Sequence, residues 1–146
     1  MFLGRYEHTI DEKGRITIPS KYREELGNAA YVTQGFDGNL QIFPPDLFEL
    51  MASRVRSMSF LDANSRRLRR IIFANAERVT FDSAGRILLP TFLRETANLK
   101  ETAIVVGGGD YFELWSPEIW QAQQTTLNDI EANEQRFGAL DLNTLL

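Results

Sequence analysis

Two short stretches carry the residue types that can do chemistry. "DEKGR" at residues 11–15 and "DSAGR" at residues 82–86 each place an aspartate four positions before an arginine, with a glycine between them. In such a loop the aspartate can accept backbone N–H groups, and the glycine can take the left-handed conformation that closes the turn. The arginine then opens the returning strand on the face away from the core. Its guanidinium is a planar fork of five donors, suited to a phosphate or to the edge of a guanine. Asp11, Gly14, Asp82 and Gly85 are therefore expected to organise the loops, and Arg15 and Arg86 to make the contacts. Lys13 adds a cation to the first loop where the second has Ala84, so the first loop carries the greater expectation. A plainer reading stays open: an ordinary turn in which Arg15 pairs only with Asp11 or Glu12, since exposed ion pairs are common and weak.

Flanking cations extend the pattern. Arg5, Lys21 and Arg23 are candidate phosphate contacts. Arg66, Arg67, Arg69 and Arg70 could follow phosphates, lie on a solvated helix face, or pair with acids of a neighbouring copy. Arg23-Glu24 and Arg94-Glu95 read as supporting ion pairs. His8, the one histidine, shares the parity of Ile10 and reads as structural. With no cysteine beside it, no transition-metal site is expected. "VVGGGDYF" lacks the Gly-Lys-Ser/Thr of a phosphate cradle and reads as a turn. Without a Ser-His-Asp, metal or nucleotide-loop constellation, neither an enzyme nor a cofactor is expected, nor a small-molecule substrate.

The elements that must hold these loops come in two copies. Residues 9–24 and 80–95 share eight identities in sixteen positions, including Asp11/Asp82, Gly14/Gly85, Arg15/Arg86 and Pro19/Pro90. "YVTQGFDGNLQIFPPDLF" and "IVVGGGDYFELWSPEIW" continue the match, with Pro45 opposite Pro117 and Phe48 opposite Trp120. Each copy reads strand, tight turn, strand, short helix, strand, turn, strand, helix start. Tyr6, His8 and Ile10 share one strand face; Ile16 and Ile18 follow on the next strand, with Arg15 and Thr17 turned the other way. Pro19 and Pro90 end strands, Ser20 and Thr91 are expected to cap the helices after them, and Gly27 suits a helix end. Phe43 and Trp115 read as aromatic core.

The expected organisation is a first repeat at 5–52, a helical linker at 53–75, a second repeat at 76–121, and a C-terminal helix and tail at 122–146. In the linker "FLDANSRRLRRIIFANA", Leu61, Leu68 and Ile72 fall on one side of a helix. "EIWQAQQTTLNDIEANEQRF" suggests one C-terminal helix, and "GALDLNTLL" a frayed tail. So small a unit cannot bury its own apolar faces, and two copies are expected to pair about a pseudo-twofold axis around one barrel-like core.

Composition narrows the partners. The chain of 146 residues is 43% hydrophobic, enough for a packed core. It has no cysteine for disulfides or thiol chemistry. No apolar run has the length of a membrane span, and "MFLGRYEH" lacks the apolar segment of a signal peptide, so a cytoplasmic protein with no membrane partner is expected. The net charge of −4 hides a polarity: residues 1–94 carry 14 Lys/Arg against 11 Asp/Glu, and residues 95–146 carry 2 against 9. A local basic surface governs phosphate binding more than the mean does.

The stretches "MFLGRYEHTIDEKGRITIPSKYRE", "RRLRRIIFANAERVTFDSAGRILLP" and "VVGGGDYFELW" resemble the MraZ family of bacterial transcriptional regulators, over about residues 1–137. Each half is similar to the AbrB-type swapped-hairpin domain. The resemblance implies a mainly β fold with short helices, a double-split β-barrel made by two internal repeats. It further implies a ring-shaped homo-oligomer, an octamer or dodecamer, associated with the nucleoid. Such a ring binds double-stranded promoter DNA at repeated boxes upstream of cell-division and cell-wall genes, its own gene included, as a repressor. In the family the D-x-x-x-R loops touch the DNA, which carries Asp11, Arg15, Asp82 and Arg86 into this chain. AbrB-type domains also serve as antitoxin-like interaction modules, the alternative function.

Overall fold

The computed structural model describes residues 1–140 and 142. In chain order the elements are β1 (Arg5–Thr9), β2 (Arg15–Thr17), α1 (Ser20–Leu26), β3 (Ala29–Gln34), β4 (Leu40–Phe43), α2 (Pro45–Ser57) and α3 (Ala63–Ala74). The second half follows with β5 (Glu77–Thr80), β6 (Arg86–Leu88), α4 (Thr91–Thr96), β7 (Thr102–Gly107), β8 (Phe112–Trp115), α5 (Pro117–Leu127) and α6 (Ile130–Gly138). The fold is thus built on β-strands with short helices, and none of the described helices is long and apolar enough to cross a membrane.

The two repeats exchange strands. A six-stranded antiparallel sheet runs β1-β7-β8-β4-β3-β5, and a separate two-stranded ribbon pairs β2 with β6. The first strand of each repeat therefore lies against the third strand of the other, β1 on β7 and β5 on β3. Within the first repeat, the chain between β1 and β2 is joined by the Ile10–Ile16 bridge and by Asp11 N–H to Arg15 O. Two self-equivalent pairs mark the pseudo-twofold axis: Gln41 opposite Glu113 in the sheet, and Ile16 opposite Ile87 in the ribbon.

The ribbon turns Ile16, Ile18, Ile87 and Leu89 inward, all at or near zero exposure. They meet Val32, Leu40, Ile42, Val105, Phe112 and Leu114 of the sheet, and Tyr22, Leu26 and Leu93 of α1 and α4, in one apolar core. Neither repeat could enclose that volume alone. On the outer side of the sheet, Phe43, Phe48, Val55 and Ile72 form a second cluster where α2 and α3 cover β3 and β4. Trp115 is equally buried at the matching place in the second repeat, so the aromatic-core expectation holds for both residues.

Several local expectations need correction. Ser20 and Thr91 are the first residues of α1 and α4 and do not cap them; Pro19 and Pro90 hold the N-cap positions without a side-chain hydrogen bond. Gly27 ends α1 with a positive φ, as the sequence suggests. Leu61 precedes α3 and is 80% exposed, because Asp62 caps the helix one residue later. The C-terminal helix is two helices, broken where Asp129 takes the N-cap of α6 and accepts the Ala132 N–H. Along β1 and just beyond it, Ile10 is buried and His8 half-buried, while Tyr6, on this edge strand, is 37% exposed with its ring against Tyr22. Most of the tail "GALDLNTLL", at residues 141 and 143–146, lies outside the described residues.

Candidate nucleic-acid interface

Each loop is built by its aspartate. Asp11 Oδ1 accepts the N–H groups of Lys13 at 3.0 Å and Arg15 at 2.9 Å, while Oδ2 accepts Arg15 Nε at 2.7 Å. Asp82 repeats the set with Ala84 N, Arg86 N and Arg86 Nε at 2.9, 2.9 and 2.8 Å. The main chain closes each turn as well, with Gly14 N–H donating to Asp11 O and Gly85 N–H to Asp82 O. The Arg15 N–H, ahead of the Arg15 guanidinium and the Lys13 N–H, holds the Asp11 carboxyl below the usual carboxylate range. Asp82 is lowered in the same way, chiefly by the Arg86 N–H. Both aspartates are therefore anionic near neutral pH. Each anchors its arginine through Nε, which fixes the plane of the guanidinium while the terminal fork remains to meet a ligand.

The ribbon brings the two loops together, which the sequence does not disclose. In its register Arg15 stands opposite Leu88, and Thr17 opposite Arg86. Side chains alternate across a strand, so these four share the outer face while Ile16 and Ile87 point into the core. Arg86 also approaches Asp11, Nη1 to Oδ2 at 3.9 Å, so its charge lies between two carboxylates. Among the described residues Arg15 pairs with Asp11 alone. Leu88, 56% exposed, is an apolar residue beside Arg15 that sequence reasoning missed. Its signal was available: it aligns with Thr17, a residue whose parity turns it to the outer face.

The Arg-Glu repeats do different work from that expected. Among the described residues Arg23 and Arg94 make no ion pair with Glu24 or Glu95. Arg23 Nε donates to Ile18 O at 3.1 Å and Arg94 Nε to Leu89 O at 3.0 Å. Each guanidinium lies over the glycine of the other repeat's loop. A Cβ on Gly14 would come within 2.7 Å of Arg94, and one on Gly85 within 2.5 Å of Arg23. Main-chain bonds cross in the same sense, Ile18 N–H to Gly85 O and Leu89 N–H to Gly14 O. Each D-x-x-G-R loop is thus clamped by the repeat it does not belong to.

Gly14 has φ of +85°. Gly14→Ala is expected to cost about 1–2 kcal/mol in left-handed strain, lowering Tm by roughly 3–8 °C. Gly109→Ala is the comparison, since its φ of +87° nearly equals that of Gly14 and its Cβ would meet nothing within 4 Å. A thermal melt in which Gly14→Ala falls no further than Gly109→Ala would mean that Arg94 yields freely.

The remaining candidates are less concentrated. Lys13 is exposed at the tip of the first loop, and Lys21 is exposed on α1 where α4 carries the exposed Phe92. Arg5 is on β1 at the end away from Ile10, so the fold does not bring it to the ribbon. Of the α3 cluster, Arg66, Arg67 and Arg70 are exposed, whereas Arg69 is half-buried and donates to Arg56 O at the end of α2.

The family model described as "MraZ protein, putative antitoxin-like" matches residues 1–71 and again 72–141, one match to each repeat. The chain is 47% identical over 127 residues to the "Transcriptional regulator MraZ" of Thermomicrobium roseum, covering 87% of this chain and 89% of that one. It is 42% identical over 137 residues to the protein of that name from Roseiflexus sp. strain RS-1, covering 94% of each. A third, from Oenococcus oeni, is 37% identical over 83% of this chain and 85% of its own. With both repeats matched and the exchanged strands seating two D-x-x-G-R loops on one ribbon, the chain belongs to the MraZ family.

Proposed function

We propose that this protein is a sequence-specific, DNA-binding transcriptional regulator, a repressor of a cell-division and cell-wall gene cluster that includes its own gene. The observation that carries the reading is the ribbon: Arg15 and Arg86 share one outer face, each held at Nε by an aspartate. A preoriented fork loses less freedom on meeting a guanine edge or a phosphate than a free arginine does. The printed names of the relatives, transcriptional regulators, support the same class. Arg15 is the principal contact and Arg86 the weaker one, because Arg86 is shared between two carboxylates. Lys13 supplies phosphate affinity from the first loop, and Lys21 and Arg23 are candidates from α1, where Arg23 lies over Gly85 of the second loop; Arg5 would reach only phosphates further along the duplex.

One copy offers few phosphate contacts, so affinity comes from assembly. A ring of copies presenting several Arg15 loops on one face binds tandem promoter boxes with the avidity of linked sites. It also lets an acidic chain hold DNA, by gathering the basic loops on one side. An interaction module of antitoxin type is less favoured. It calls for a C-terminal segment that orders on binding, whereas residues 117–138 already form two helices with their own side-chain caps.

The test is a salt-dependent gel shift on the DNA upstream of the coding region, where short, evenly spaced direct repeats are expected. Wild type should retain that DNA over a scrambled duplex. Lys13→Ala should weaken binding to both and reduce the slope of log K against log salt by about one for each phosphate left unneutralised. Equal retention of both duplexes by wild type would overturn the reading. A Lys13→Ala effect confined to one base position would make Lys13 a base reader instead.

A further inference from the structure

Of the four side chains on the outer face of the ribbon, Arg15, Thr17 and Arg86 suit a polar ligand. Leu88 does not. It is 56% exposed between Ile87 and Leu89, which are at 1% and 0%. Among the described residues, the apolar core that takes in those two neighbours leaves Leu88 out. The packing of the ribbon therefore does not call for a leucine here, and the equivalent position of the first repeat carries Thr17.

Register fixes what Leu88 can touch. Ile18 N–H donates to Gly85 O and Leu89 N–H to Gly14 O, so the intervening pairs Arg15–Leu88 and Thr17–Arg86 are non-hydrogen-bonded ones. Cα atoms in such a pair lie about 4.5 Å apart, and their side chains are closer than in bonded pairs. Successive base pairs are about 3.4 Å apart along a duplex. A side chain this near Arg15 therefore meets the base pair next to the one that Arg15 reads. A two-stranded ribbon fits the major groove, where thymine alone presents an apolar group, its C5 methyl. Against cytosine the same leucine would cover an amino donor and offer it no acceptor.

We propose that Leu88 is a specificity-determining residue, packing on the methyl of a thymine next to the guanine read by Arg15. This rests on the DNA reading proposed above for the ribbon. The pseudo-twofold counterpart, Thr17 beside Arg86, has a hydroxyl as well as a methyl and accepts more than one base, so the two loops read unequal half-sites. Leu88 also borders an open groove of about 210 Å3 along β5, with Glu77, Arg78, Thr80 and Pro90. Although β5 is an edge strand, the exposed charges of Glu77 and Arg78 disfavour the addition of a strand from another protein.

Replacing the thymines of the upstream duplex by uracil, one at a time, removes the methyl and keeps the base pair. Burial of one such group corresponds to roughly fourfold in affinity, so wild type should bind about fourfold less tightly when the thymine beside the guanine is replaced. Leu88→Ser should bind the thymine and uracil duplexes alike, while Leu88→Met, apolar and of similar reach, should keep the difference. Both variants should melt with the wild type, since the position is exposed. A wild type that retains its DNA specifically yet ignores uracil at every position would overturn the methyl contact and leave the regulator reading standing. A wild type that holds upstream and scrambled duplexes equally would overturn both. A uracil penalty unchanged in Leu88→Ser would give the methyl to another residue and overturn the assignment to Leu88. So would a Leu88→Ser protein that weakens equally on both duplexes and changes mass in light scattering, which would make Leu88 a contact between proteins.

Discussion

Arg15→Ala is expected to abolish sequence-specific retention of the upstream DNA while leaving fold and oligomer intact. The side chain is on the outer face of the ribbon, and its only ion pair among the described residues is the solvent-facing one to Asp11. Its removal should therefore barely move Tm. A bidentate arginine-to-guanine contact is worth about 1–3 kcal/mol of discrimination. One contact thus changes affinity by roughly 5-fold to 150-fold, and an assembly that engages several boxes multiplies the effect. Arg15→Lys separates shape from charge: it keeps the cation but has no fork and no Nε for Asp11, so specificity should fall with much of the non-specific affinity retained. Arg86→Ala should do less, since that guanidinium is divided between Asp82 and Asp11. Undiminished specific binding by Arg15→Ala would remove the loop from the interface.

What the sequence discloses and what it hides divide along physical lines. The Asp-Gly-Arg turns are legible because each bond that builds them spans four residues or fewer. The parity of Ile16 and Ile18 against Arg15 and Thr17 is legible for the same reason. The partner of each strand is not: β1 lies on β7, almost a hundred residues away, and no periodicity encodes such pairing. The roles of Arg23 and Arg94 escape a local reading because their true neighbours, Gly85 and Gly14, belong to the other repeat. Spacing alone puts Leu61 on a helix face, although Asp62 beside it has the chemistry to start the helix later. Local hydrogen bonding, in short, can be read directly, whereas exchange between repeats requires the resemblance to a family and then the fold.

That exchange sets the second large effect. Ile16 and Ile87 face each other across the pseudo-twofold axis, at 0% and 1% exposure, directly beneath the two arginines. Ile16→Ala should destabilise the protein by about 2–5 kcal/mol, from reduced burial plus the cavity left where two exchanged strands meet. Ile87→Ala should cost a comparable amount, because the pairing makes the two environments nearly the same although their loops differ. Since the residues touch one packing surface, the double substitution should depart from additivity by about 0.5–3 kcal/mol. Urea titration of the four species measures this, with stability taken from the midpoint and the m value checked for two-state behaviour. An Ile16→Ala cost within about 0.5 kcal/mol of wild type would place it with ordinary surface substitutions and contradict the packed ribbon. Zero coupling would mean that the two strands are held independently. The expected coupling has a functional corollary: the ribbon pairing that seats Arg15 and Arg86 lies over this apolar contact, so loosening one loop from below should disturb the other.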